Sequence, residues 1–126
     1  KFMARGQYAE AVYGFEQAFK QNAQIPNLNF ELALALNSIE RYPQCIRHVL
    51  GCIAQKPNDY RLYREMGYAL VQMHQPQEAE KVYEQGLQVC QQNEQRREMA
   101  LDMAQTFYRL RDPERFEKWA KILRQF

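Results

Sequence analysis

Cys45, His48 and Cys52 have the side chains for metal binding or thiol chemistry, and they fall at i, i+3 and i+7, along one side of a helix. Structural zinc takes four ligands, usually gathered from separated segments, and no fourth ligand stands nearby. Two helical turns hold the two thiols about 10 Å apart, too far for a disulfide. Both cysteines read instead as small packing residues, since a free thiol behaves as a small buried hydrophobe. Cys90 makes the count three, so the cysteines cannot all pair within the chain. His74 closes a helix just before a turn, where exposed carbonyls favour a cation, and no nucleophile or acid is fixed beside it. The sequence has no Gly-rich phosphate loop, nucleophile elbow or His-Glu-x-x-His run. We therefore expect no catalytic, cofactor or metal site, and a non-enzymatic protein.

The charge narrows the partners. Seventeen Lys and Arg face fifteen Asp and Glu, a net +2 that offers little counterion release, so no nucleic acid partner is expected. The short clusters Arg96-Arg97 and Arg109–Arg111 are offset by Glu98, Asp112 and Glu114. Apolar runs are only a few residues long, so this segment is not expected to enter a membrane. Hydrophobic residues at 46% and charged residues at 25% describe an ordinary globular composition across 126 residues. The chain starts at Lys1 rather than Met, which favours a piece of a longer protein.

What positions these residues is a repeat. The segments GQYAEA (6–11), ERYPQC (40–45), HQPQEA (74–79) and RDPERF (111–116) align, with starts 34, 34 and 37 positions apart. Between them, apolar residues recur at steps of three and four: Phe30, Leu32, Ala33, Leu36, Ile39, and Tyr60, Tyr63, Met66, Gly67, Leu70, Met73. The pattern resumes after each segment as Cys45, Val49, Cys52, Ile53 and Ala79, Val82, Tyr83, Gly86, Leu87. These spacings predict helix pairs joined by tight turns, an all-α chain. Pro43, Pro76 and Pro113 fall where each second helix starts, a place that tolerates the missing N–H. Asp112 is predicted as an N-cap, and Pro57-Asn58-Asp59 ends one helix and caps the next. The longer connection from Cys90 to Arg97 lacks Pro and Gly and is expected to be extra helix rather than loop.

The period and residue types resemble the tetratricopeptide repeat (TPR) family. The third unit matches nearly throughout, with Tyr63, Met66-Gly67, Leu70, Ala79, Tyr83 and Gly86. The first supplies Phe2, Gly6, Ala11, Phe15 and Ala18; the second, Leu32-Ala33, Leu36, Cys45, Val49, Cys52 and Pro57. The fourth fits at Met103-Ala104 and Phe107 and departs at Phe116, where a small residue is expected. The resemblance implies one domain, a right-handed superhelical stack of about three and a half units (1–25 partial, 26–59, 60–96 and 97–126). In such a stack Gly67 lets two helices approach, so leucine there should overpack while alanine is tolerated or mildly destabilising.

Family members use the concave face, lined by first helices, to hold peptide segments of other proteins. The matching residues are Asn27, Phe30, Leu34 and Asn37, then Arg61, Arg64, Tyr68 and Val71, then Glu98, Leu101, Gln105 and Tyr108. One branch grips a C-terminal carboxylate with Lys and Asn at places held here by Phe30 and Leu34, which argues against a chaperone-tail clamp. The expected function is protein–protein interaction, as adaptor, chaperone-like or assembly module, with Arg61, Arg64 and Tyr68 at its centre. Pairing of the two arginines with Glu65, Glu31 or Asp102 is the competing reading. The alternative role is a structural segment of a longer repeat protein that self-associates or packs within its own chain. On the last helix, Phe116, Ala120 and Leu123 are expected to face inward, with Trp119, Ile122 and Phe126 beside them either as a contact edge for another helix or with Trp119 folded over its own unit.

Overall fold

A computed structural model describes residues 5–21 and 27–126. Phe2, matched above to the first unit, lies outside the described residues. Seven helices and no strand occur among those residues: α1 (Arg5–Gln21), α2 (Leu28–Ser38), α3 (Tyr42–Gln55), α4 (Tyr60–Gln72), α5 (Pro76–Val89), α6 (Asn93–Arg109) and α7 (Pro113–Arg124). The chain is an all-α superhelical stack of antiparallel pairs. Helix α1 packs on α2; the pairs α2–α3, α4–α5 and α6–α7 follow, with α4 laid on α2 and α3, and α6 on α5.

Local chemistry sets the helix starts. The Asp59 carboxylate accepts the Arg61 N–H at 3.0 Å and the Asp112 carboxylate accepts the Arg115 N–H at 3.1 Å, so both caps are as expected. Proline stands in the first turn of α3, α5 and α7. Helix α6 begins at Asn93, so residues 93–97 are the extra helix expected in the longer connection, and the Gln95 side chain accepts the Gln91 N–H at 2.9 Å to fasten it. One expected boundary moves. Residues 6–11, aligned with turns elsewhere, lie inside α1.

Each tight turn closes in the same way. Glu40, His74 and Arg111 occupy one repeat position and all adopt the left-handed backbone, with φ of 63°, 63° and 58°. The His74 N–H donates to Val71 O at 3.0 Å and the Gln75 N–H to Leu70 O at 2.9 Å, satisfying carbonyls at the end of α4. The other two turns repeat this pair of bonds. Side chains with a Cβ are strained in this region, whereas glycine is not. His74→Gly is therefore expected to raise stability by about 0.5–1 kcal/mol, after the entropy glycine itself loses on folding. Thermal melts check it, with His74→Ala as the control that should gain nothing.

The core runs through the stack as two joined clusters. One holds Val12, Leu32, Leu36, Cys45, Val49 and Met66; the other holds Tyr83, Met99, Met103, Phe107 and Trp119. Helix α4 feeds both, Leu62 and Met66 into the first and Tyr63 into the second. No unit buries its apolar face alone, so stability is shared between neighbours.

Candidate functional site

Helices α2, α4 and α6 share one face, and the hollow between them is a groove of about 450 Å³. Eight of the twelve expected groove residues line it: Phe30, Leu34, Asn37, Arg61, Arg64, Tyr68, Val71 and Gln105. Asn27, Glu98, Leu101 and Tyr108 do not; Leu101 and Tyr108 line an adjoining hollow at the α6–α7 end. Arg109, one turn beyond Gln105 on the same side of α6, also lines the groove. Its four-residue spacing from Gln105 was the sequence signal for it.

The two central arginines are engaged. Arg64 forms a fork on Asp102 across the groove, Nε to Oδ2 at 2.7 Å and Nη2 to Oδ1 at 3.2 Å. The Tyr83 hydroxyl donates to the same Oδ2 at 2.9 Å. Burial opposes the Arg64 charge, but the bonds and charge of Asp102 outweigh it and hold the guanidinium protonated. Arg61 turns back to the cap of its own helix, Nη2 to Asp59 Oδ2 at 2.9 Å, and donates to Asn27 Oδ1 at 2.9 Å. Its guanidinium lies 4.5 Å from the centre of the Phe30 ring. The competing reading thus holds for Arg64 with Asp102, while Arg61 takes Asp59, a partner the sequence reading passed over. Arg64 is a strut between units three and four, so Arg64→Ala is expected to lower the melting temperature.

Other groove residues remain open to a ligand. Tyr68 is 48% exposed, with its ring edge-on to Tyr42 at 6.3 Å. The Arg109 side chain has no hydrogen bond or ion pair among the described residues. Asn37 donates to the Glu65 carboxylate at 2.9 Å and to the Glu65 carbonyl at 3.0 Å. Burial pushes the Glu65 carboxyl up, against the bond from Asn37. The groove therefore combines half-buried apolar walls with one uncommitted cation and a half-exposed phenol.

Comparison with known proteins adds to this geometry. No family model matches the chain, and no curated protein sequence matches it. Among solved structures, it is similar to MamA MSR-1 C2, a TPR-like protein, with a TM-score of 0.70 and 14% identity over 95% of this chain and 70% of that one. The fold is a TPR-like helical repeat.

The TPR-like stack also explains the residues with chemical potential. Cys45 and Cys52 are 0% and 5% exposed, packed in the core at the small-residue positions. Burial pushes their thiols up to about 12 and about 11, away from the reactive thiolate. His48 Nε2 donates to the Asn29 carbonyl at 3.0 Å, and burial lowers the pKa of its ring. No group of three or more potential metal ligands gathers among the described residues. Among the described residues, no helix is long and apolar enough to cross a membrane.

The expected contact edge on α7 needs correction. Trp119 is 0% exposed; it turns to α5, where its Nε1 donates to Glu80 Oε2 at 2.9 Å. Ile122 and Phe126 are half-buried, and the Phe126 carbonyl accepts a bond from Arg97. Phe116, Ala120 and Leu123, expected inward, line the outer hollow with Leu101 and Tyr108. The helix is rotated from the expected orientation because Glu80 captures the indole.

Proposed function

We propose that this TPR-like stack is a non-enzymatic interaction module that holds a peptide segment of another protein in the groove of α2, α4 and α6. The observation that carries this reading is the groove itself, lined by Phe30, Leu34, Tyr68 and Val71 with the uncommitted Arg109 beside them. Apolar side chains of a ligand fit the walls, and an acidic group or backbone carbonyl answers Arg109. Tyrosine and arginine are enriched among residues that dominate binding energy. Arg61 and Arg64 shape the groove and are not its ligand-binding forks. The net charge of +2 gives no support to a nucleic acid partner.

Tyr68 and Arg109 are both surface residues, so Tyr68→Ala with Arg109→Ala is expected to leave the melting midpoint nearly unchanged. The same pair is expected to weaken ligand binding by about 2 kcal/mol or more. The measurement is calorimetric titration with a peptide selected against the chain from a random display library. Unaltered affinity in the double variant would move the site off this face.

A further inference from the structure

The groove carries two carboxylates at one repeat position, and only one of them is neutralised. Glu65 of α4 and Asp102 of α6 are equivalent in their units, and both line the groove. Asp102 is answered from the unit before it: Arg64 forks on it at 2.7 and 3.2 Å, and the Tyr83 hydroxyl adds a third donor. One unit earlier, the positions of Arg64 and Tyr83 are held by Phe30 and Val49, whose side chains have nothing to donate. Glu65 therefore receives only the Asn37 amide, at 2.9 Å on Oε1. Its Oε2 has no hydrogen bond, and the carboxylate no ion pair, among the described residues. No missing neighbour makes this gap, because α2, α4 and α6 all stand around the groove.

The cations on α4 are spent elsewhere. Arg64 is held by Asp102 and lies 3.9 Å from Glu98, and Arg61 is held by Asp59. Glu65 is half-buried. Burial pushes its carboxyl up and the Asp102 charge pushes the same way, against the Asn37 bond and the Arg64 charge. A half-desolvated carboxylate without a counter-charge costs the free protein stability, and it gains when a ligand brings the missing cation. The surroundings suit a cation with an apolar stem: Phe30 and Leu34 wall the same groove. Tyr68, one turn on from Glu65 along α4 and 48% exposed, offers an aromatic ring beside it.

We propose that Glu65 is a specificity-determining residue of the groove: it takes a basic side chain of the bound peptide, lysine or arginine, which supplies at this joint the charge that Arg64 supplies at the next. This inference rests on the groove reading above and adds to it the charge of one ligand residue. The contact is distinct from the acidic group or carbonyl that answers Arg109.

The probe is a random peptide display library panned against the native chain. Groove binders are the peptides that lose affinity for the chain carrying both Tyr68→Ala and Arg109→Ala, and they are expected to share a Lys or Arg at one position. Calorimetric titration of one such synthetic peptide should weaken at least tenfold in Glu65→Gln, and as much when its basic residue is replaced by glutamine. In a double-mutant cycle the two losses should not add, since each removes the same pair. Glu65→Gln keeps an acceptor for Asn37, so its melting midpoint should stay or rise. A merely structural Glu65 would instead lower the midpoint and leave the two losses additive, which overturns the proposal. Groove binders with no shared basic residue, or equal affinity for Glu65→Gln, also overturn it and leave the groove reading intact. A library that yields no groove binder overturns both.

Discussion

Replacing Glu80 with alanine is expected to destabilise the last helix by about 2–4 kcal/mol, among the largest single-residue effects in this fold. Glu80 is 7% exposed on α5 and receives three donors from α7. Arg115 Nε reaches Oε1 at 3.0 Å, while Lys118 Nζ and Trp119 Nε1 reach Oε2 at 2.8 and 2.9 Å. Arg115 and Lys118 are part-exposed and can return to water, so most of the cost comes from the buried indole N–H, left without an acceptor. Trp119 is the only tryptophan in the chain, so its fluorescence reports the event directly. In Glu80→Ala its emission should shift to the red, and amide exchange should accelerate across 113–124 before the rest of the stack. Glu80→Gln keeps an acceptor for the indole and should fall between the two. Burial alone would push the Glu80 carboxyl up, but the donors from Lys118, Trp119 and Arg115 outweigh it and hold it below the ordinary 4.5. A depressed carboxylate contributes stability that is full above the ordinary value and is lost as the pH falls below it. Acid should therefore release Trp119 of the native protein below about pH 4.5, with little further change in the Glu80→Ala variant. An emission maximum that stays put in Glu80→Ala would mean that apolar packing alone seats α7.

The repeat was legible because local chemistry and packing agree within each unit. Pro43, Pro76 and Pro113 mark the second-helix starts, and Asp59 and Asp112 cap because a carboxylate just before a helix has orphan amides within reach. Cys45 and Cys52 read as packing residues from their repeat positions alone. The groove residues on α2 and α4 followed from the resemblance, which places first-helix positions on a concave face. What periodicity does not carry is the choice between partners on different helices. Arg64 and Asp102 lie 38 positions apart, so their pairing depends on how the units rotate against one another, whereas Arg61 takes Asp59 at the cap of its own helix. The orientation of α7 failed for the same reason. Its apolar arc is wide enough to dock on either flank, and the deciding group, Glu80, lies on another helix. Leu101 and Tyr108 occupy groove positions by register, yet among the described residues they line the hollow at the α6–α7 end instead.

Gly67→Ala is expected to lower stability by about 1–3 kcal/mol, although alanine is the better helix former by about 1 kcal/mol. Gly67 is buried in the middle of α4, and a Cβ there would lie 2.3 Å from Tyr83 Cε1 and 2.5 Å from Tyr83 Cδ1. No pair of carbons tolerates that separation, so the ring would have to move. It has little freedom: Tyr83 is 4% exposed, and its hydroxyl is held by Asp102, which also receives Arg64. Sliding the ring disturbs the bonds that join units three and four. The expectation that alanine is tolerated or mildly destabilising, drawn from the need for close approach alone, moves to its destabilising side because the approach is this close. Gly67→Leu should be worse still, since larger side chains need more of the same space. A double-mutant cycle isolates the cause. Tyr83→Ala alone should cost stability by opening a cavity and freeing Asp102. In that background Gly67→Ala no longer meets the ring, and its helix propensity should make it neutral or stabilising. Denaturant melts of the four proteins give the coupling. A Gly67→Ala penalty of the same size with and without the Tyr83 ring would place its origin elsewhere in α4.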